Sequence, residues 1–400
     1  MRFNQAQSTK NQEHCFFQPS TKHEELCSTC VLPRNSATFL LTTDNFAISP
    51  NLQPAQNKIS SRPMGGQSQV GVVVIGRNEG DRLKRCLRSL KDDCPVMVYV
   101  DSGSTDGSVE FAQSMDVVVV DLDLSRPFTM ARGRNAGLRR LCDAYPQIDY
   151  VQFVDGDCEV ASGWIAAAVA VLDRKQDLVA VCGRRREQCP EASRFNLLCD
   201  LEWDKPTGLT NACGGDAMYR IGPLRKIDGF NEQMIAGEEG ELCFRLRSDG
   251  WKILRLTHEM TRHDAAITSW RQWFWRATRG GHAFAEGAFL HGGATERYSI
   301  RPTRSALFWG GLVPASMLLI LLCGILFNRL ILALLILPGS AYLLLMFRIY
   351  RHNRSRGIQA RWSLMSAVFC ILAKFPEAIG VIRFWFNRLA GRRSGLIEYK

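Results

Sequence analysis

Four hundred residues exceed one average domain and suffice for a sizeable core. Fifty Lys and Arg against 39 Asp and Glu leave a net charge of +11, which calls for an anionic partner: a nucleic acid, a phosphorylated substrate or an acidic membrane surface. The fourteen cysteines are scattered, and most, such as Cys182, Cys199, Cys243, Cys323 and Cys370, sit in apolar runs, which argues for reduced thiols packed as small hydrophobes and against a disulfide scaffold.

Residues 1–65 are rich in Gln, Asn, Ser and Thr, lack sustained periodicity and have no signal-peptide pattern, so a disordered extension is expected. Within it, Cys27 and Cys30 with Cys15, His14 and His23 could be offered as a zinc site, but no second pair follows at a recognised spacing. At Val70 the pattern changes. Val72–Ile75 reads as a strand buried on both faces, and Asp81 is expected to cap a helix whose Leu83, Cys86, Leu87 and Leu90 repeat at helical spacing. Strands follow at Val96–Val100, Val117–Val120, Tyr150–Val154 and Leu178–Cys182, with helices through Asn135–Leu141 and Ala161–Asp173. Strands alternating with helices imply βαβ units and a mainly parallel sheet, whose ligands bind beyond the carboxyl ends of the strands.

Three polar clusters fall at those ends: Arg77-Asn78-Glu79, Asp101 to Asp106, and Asp155-Gly156-Asp157. An isolated Asp-Gly-Asp is an ordinary solvated turn, because two close carboxylates repel unless a cation lies between them. Three clusters on one rim point instead to a site. Further on, residues 306–327 and 330–347 contain no charged side chain and are long enough for membrane-spanning helices joined by a short turn at Asn328 and Arg329. Arg297, Arg301 and Arg304 precede them, and Arg348, Arg351, Arg354, Arg356 and Arg361 follow, so the positive-inside rule places the N-terminal part in the cytosol. Residues 363–389 are apolar but broken by Lys374, Pro376, Glu377 and Arg383, which favours an interfacial or re-entrant helix over a third span.

Together "VVVIGRNEG", "VYVDSGSTDGS", "GRNAGL", "FVDGDCEV", "GGDAMYR" and "GFNEQMIAGEEGELCFRL" resemble, in order, the family 2 glycosyltransferases of GT-A fold, a resemblance that covers about residues 70–285. It implies a Rossmann-like, mainly parallel sheet with flanking helices at 66–290, followed by a membrane region at 291–400. It also implies transfer of a sugar from a nucleotide-sugar donor, a UDP-sugar by default, to a lipid-linked or polysaccharide acceptor in envelope or exopolysaccharide synthesis, by inversion, at the inner (plasma) membrane. By this resemblance Asp155 and Asp157 hold Mg2+ or Mn2+, suited to hard oxygen ligands, with His263 as a further ligand or a packed histidine, and Asp264 as its orienting partner. Gly156 would let the backbone pass close to the ligand. Asp101 would meet the nucleotide base, Arg77, Asn78 and Glu79 would line the base and ribose pocket, and Arg134 would reach ribose or phosphates or else face solvent. Asp106 more simply braces its own turn.

The family's Glu-Asp pair reads Glu238-Glu239 here, a departure. Glu239 takes the position of the general base, with Glu238 and Glu241 as alternatives, although Glu241 also pairs naturally with Arg245 on a helix face. Gln272 and Arg276 lack the spacing of the processive synthases. Trp270, Trp273, Phe274 and Trp275 are read as a membrane-surface belt in preference to a sugar platform. Trp203 and Gly214-Gly215-Asp216 fall on the acceptor side by resemblance. Two other readings stand beside transfer: a non-catalytic nucleotide-sugar-binding membrane scaffold, which the Glu-Glu departure keeps open, and a nucleotidyltransferase, whose phosphate loop would need a Lys that "GRNEG" lacks. Nucleic-acid binding is not expected, because the excess charge lies beside the apolar spans.

Overall fold

The computed structural model describes residues 69–94 and 96–398. The expected extension and the candidate zinc ligands His14, Cys15, His23, Cys27 and Cys30 lie outside the described residues.

The elements alternate as β1 (Val70–Gly76), α1 (Asp81–Leu90), β2 (Met97–Asp101), α2 (Ser108–Ser114), β3 (Val118–Asp121), α3 (Met130–Ala144), β4 (Tyr150–Asp155) and β5 (Cys158–Val160). Then come α4 (Trp164–Arg174), β6 (Leu178–Glu187), α5 (Arg194–Trp203), β7 (Gly208–Leu209), β8 (Ala217–Arg220), α6 (Ile221–Lys226), α7 (Glu238–Ser248) and β9 (Lys252–His263). All five residues of β2 and the middle five of β1 are buried, as continuous apolar strands covered on both faces must be. Helix α1 turns Leu83, Cys86, Leu87 and Leu90 into this core, where each fully buried leucine contributes about 1.5–3 kcal/mol.

Two helix starts differ from the sequence reading for a backbone reason. Gly80, with φ 52°, holds the cap position of α1, and Asp81 is the first helical residue, its carboxylate accepting from Lys84 Nζ at 2.8 Å. Helix α4 starts at Trp164 and not at Ala161, because Gly163 sits at φ 77° outside the helical region.

The sheet runs β3-β2-β1-β4-β8-β6-β9-β5, with β7 paired to β9. The β3-β2-β1-β4 part is parallel, but β8 is antiparallel to both β4 and β6, so Leu178–Cys182 does not close a parallel series. Strand β6 continues through Arg184, Arg185 and Arg186 to Glu187. The order in which strands are added reverses at β1, with β2 on one side and β4 on the other, which opens the crevice at the carboxyl ends where α/β sheets bind ligands. Because β8 returns beside β4, with Ala217 opposite Phe153, it brings Asp216 to the rim next to Asp155.

Helix α8 (Trp270–His291) follows, then α9 (Ile300–Leu307), which continues through one wide turn into α10 (Val313–Leu326), then α11 (Ile336–Ser355) and α12 (Ala360–Leu389). Among the described residues, Ile300–Leu326, Arg329–Ser355 and Ala360–Leu389 are long and apolar enough to cross a membrane.

Candidate functional site

The site is a rim built from the carboxyl ends of β1, β2, β4 and β6, the loop before β8, the first turn of α7 and the end of β9. At its centre Arg134, 1% exposed, extends from α3 and donates to Glu238 Oε1 at 2.8 Å and Asp155 Oδ1 at 2.9 Å, and pairs with Glu239 Oε1 at 3.3 Å. It is neither solvent-facing nor free to reach outward. Burial alone would favour neutral guanidine, but Asp155, Glu239 and Glu238 outweigh it and hold the group charged above its ordinary range.

Glu238 is sealed in, while Glu239 keeps 22% of its side chain exposed. Burial, then the Glu238 charge, push the Glu239 carboxyl up to about 7, opposed by Arg134. Glu241 faces away: it takes both Arg245 nitrogens at 2.8 and 2.9 Å and meets His291 at 2.8 Å, the helix-face role expected of it.

The two aspartates of the Asp-Gly-Asp turn address different partners. Asp155 faces Arg134, whereas Asp157, 7% exposed, meets His263 Nε2 at 3.1 Å. Antiparallel pairing of β5 with β9 puts Cys158 opposite His263 and so brings the imidazole to the turn. One ligand atom each from Asp157, Cys158 and His263 lie within 4.8 Å of one another, as do those of Asp155, Cys158 and Asp216. Burial pushes the Cys158 thiol well up, so it stays a neutral thiol and leaves carboxylate and imidazole as the donors. A divalent ion that takes one or two protein carboxylates and completes its shell with substrate phosphates fits this set. His263 Nδ1 is buried with no hydrogen-bond partner, but its ring is stacked on Trp203, with centroids 4.7 Å apart and planes at 10°.

The residues expected on the nucleotide side are largely occupied with bracing their loops. Asp101, 3% exposed, accepts from Tyr99 Oη, Gly103 N and Ser104 N at 2.7–2.8 Å. Asn78, at φ 55°, accepts from Thr105 N and donates through its backbone to Ser104 Oγ, which ties the β1 loop to the β2 loop. Glu79 pairs with Arg82 at 2.8 Å, Arg77 with Glu398 at 3.0 Å, and Asp106 accepts from Ser108 N within its own turn. Gly156 is crowded by the β1 backbone, its N–H donating to Ile75 O at 2.8 Å, so its small size serves strand packing.

Arg185 and Asp216 complete the rim. Asp216 is fully buried, forms an ion pair with Arg185 Nη2 at 2.8 Å, and accepts hydrogen bonds from Thr261 Oγ1 at 2.8 Å and from Asp155 N at 3.3 Å. Burial would raise its carboxyl, but Arg185 holds it below the ordinary range. Arg185 lies over the Trp203 ring at 5.5 Å. The sequence signal for Arg185 was strand alternation: in "GRRRE" Arg184 and Arg186 pair outward with Asp204 and Asp200, which turns Arg185 the other way. At Gly215 an added Cβ would lie 2.3 Å from Arg134 Nη2, so any side chain there must displace the buried guanidinium.

On α8, Gln272 forms a capping box with Ser269, and Arg276 pairs with Glu202 at 2.9 Å. Trp270 and Trp273 pack on Phe195 and on Phe369 of α12, which joins that helix to the α/β domain.

Residues 71–227 match the family model "Glycosyl transferase family 2". The pre-mycofactocin glycosyltransferase of Mycobacterium tuberculosis is 28% identical over 247 residues, 58% of this chain and 50% of that protein, so the chain spans about half the length of the curated relatives it matches. A mannosyltransferase from Pyrobaculum calidifontis, solved with GDP-Man and Mn2+, superposes with a TM-score of 0.51 at 18% identity, over 78% of this chain and 87% of that one. Residues 71–227 thus form a glycosyltransferase family 2 domain, on a sheet with the GT-A fold.

Proposed function

We propose that the chain is a membrane-anchored transferase that moves a sugar from a nucleoside diphosphate donor to a lipid-linked or polysaccharide acceptor on the cytosolic side of the inner (plasma) membrane, in cell-envelope or exopolysaccharide synthesis. The supporting observation is the pairing, on one rim, of a partly exposed Glu239 whose carboxyl is poised at about 7 with the Asp157–His263 donor pair. A base poised near working pH is what proton removal from an acceptor hydroxyl requires. In the proposed inverting step, Glu239 takes that proton as the acceptor oxygen bonds to the anomeric carbon. The bond from that carbon to the diphosphate breaks, and its electron pair leaves with the nucleotide.

Arg134 holds Glu238 and Asp155 in register with Glu239, and Arg185 supplies a second cation to the leaving diphosphate. Asp157 and His263, with Asp155 beside them, would hold Mn2+ or Mg2+, which when bound neutralises the diphosphate as a Lewis acid. Uridine remains the default nucleotide. The guanosine donor of the Pyrobaculum structure makes GDP-sugars the second arm of the test.

Membranes carrying the chain are incubated with a panel of radiolabelled UDP- and GDP-sugars and extracted into organic solvent. Label in the lipid fraction that requires Mn2+ or Mg2+ and vanishes in Asp157→Ala supports the reading. Donor binding with neither transfer nor hydrolysis would support the scaffold reading instead.

A further inference from the structure

By length and composition α12 qualifies as a third membrane span. Its packing says otherwise. Phe369, near its start, stacks on Trp270, Glu377 lies against Gly281, Gly380 against Thr278, and Phe384 against His282 and Phe289. From Phe369 beside Trp270 to Phe384 beside Phe289 the contacts advance along both helices together, so the two run side by side in the same direction. An added Cβ at Gly281 would come 2.0 Å from the Glu377 carbonyl, and one at Gly380 2.0 Å from that of Thr278, which is how closely the backbones approach.

Helix α8 cannot enter hydrocarbon with its neighbour. It carries Arg271, Arg276 and Arg279, and it is pinned to the α/β domain by Arg276–Glu202 near one end and His291–Glu241 at the other. A helix of 30 residues is about 45 Å long, more than the roughly 30 Å of hydrocarbon. Yet beyond its far end the chain turns straight back to the domain, Ser394 Oγ meeting His282 Nε2 at 2.9 Å and Glu398 meeting Arg77 at 3.0 Å.

The outer face of α12 has a different character. Leu364, Val368, Leu372, Ile379, Ile382 and Phe386 are each at least 37% exposed. At 100° per residue they fall within an arc of about 80°. The inner face buries Ala367, Ala378, Val381 and Phe384, together with Lys374, whose ammonium is 2.7 Å from Glu377. The apolar hairpin of α10 and α11 crosses this inner side, Gly310 lying against the Lys374 carbonyl and Leu345 and Ile349 clustering with Ala367.

We infer that α12 lies in the plane of the bilayer interface with this stripe immersed among the upper acyl chains, and that the chain crosses the membrane twice, in the hairpin alone. The occupant of the stripe is lipid. The stripe adjoins the hairpin, whose Leu318, Leu322, Ile325 and Leu337 are exposed; Arg361 precedes it at the start of the helix and Arg383 flanks it, the arrangement of an interfacial helix. The site rim is thereby held at a set height against the surface where a lipid-linked acceptor would present its hydroxyl. The inference rests on the membrane-anchored part of the proposed function and not on transfer itself.

Two measurements on the full chain test it. Alkaline phosphatase or a fluorescent protein fused after Lys400 reports the side of the C-terminus. A fluorescent amino acid placed singly by suppression at Leu364, Leu372, Ile379 and Phe386, in vesicles of phosphatidylethanolamine and phosphatidylglycerol, is quenched by lipids brominated at shallow or deep acyl positions. The expected result is a C-terminus on the side of the α/β domain and shallow quenching that is equal at all four positions. A C-terminus on the opposite side, or deep quenching that peaks at Leu372 and Ile379, would overturn the inference while leaving the transferase reading intact. No quenching in a vesicle-bound chain would also overturn it, assigning the stripe to a second copy or a soluble partner. Failure to float with vesicles at all would remove the membrane reading on which it rests.

Discussion

Arg134 serves three carboxylates from a fully enclosed position, so its charge and theirs stand or fall together. Arg134→Ala leaves Glu238 buried without its cation, and a loss of about 3–5 kcal/mol, read as a lowered denaturation midpoint in detergent, is expected. Glu239 makes a pH prediction of definite sign. Its unfolded carboxyl ionises near 4.3, whereas the folded one holds its proton until about 7. The native state therefore binds the extra proton in that window, and stability falls as pH rises from about 4.3 to about 7. Proton abstraction runs the other way: kcat/KM rises with pH and levels off above about 7. Glu239→Gln should lower kcat by roughly 10²–10⁴-fold and flatten both profiles, and an unchanged acid limb in the residual rate would remove Glu239 as the base. Trp203 acts through the ring it stacks on. Trp203→Leu should weaken Mn2+ binding about 10-fold, measured by the paramagnetic signal of free Mn2+, while Trp203→Phe largely restores it.

At the scale of elements, the loop before β8 passes against the Arg134–Asp155 pair, and a methyl group at Gly215 would push into both side chains. Gly215→Ala should cost about 1–3 kcal/mol through overpacking and also displace the guanidinium, so activity falls further than stability alone requires. The β1, α1, β2 and β4 segments were legible because each buries a continuous apolar run or a clean helical stripe. Strand β8 was not. Four residues, Ala217–Arg220, carry no period, and their antiparallel place between β4 and β6 comes from distant pairing. For the same reason Arg185 went unread: its meaning depends on Asp216 arriving beside it.

Across the whole molecule, the α/β domain and the apolar helices are coupled through α8 and α12 and not through a linker. Replacing residues 308–347 with a short polar connection should release the chain from membranes washed with alkaline carbonate, which leave the complete chain in the pellet. Persistence of the shortened chain in the pellet would mean that α12 anchors on its own. The sequence alone determined the α/β class, the order of the rim clusters and the two uncharged spans, since each is written in local periodicity, turn chemistry or the cost of charge in hydrocarbon. Only the tertiary structure decided that Asp101 and Asn78 brace loops, that Asp155 and Asp157 face different partners, and that α12 lies along α8. Those outcomes depend on which groups meet across long separations in the chain, and a side chain with several possible partners takes the one that packing brings within hydrogen-bonding distance.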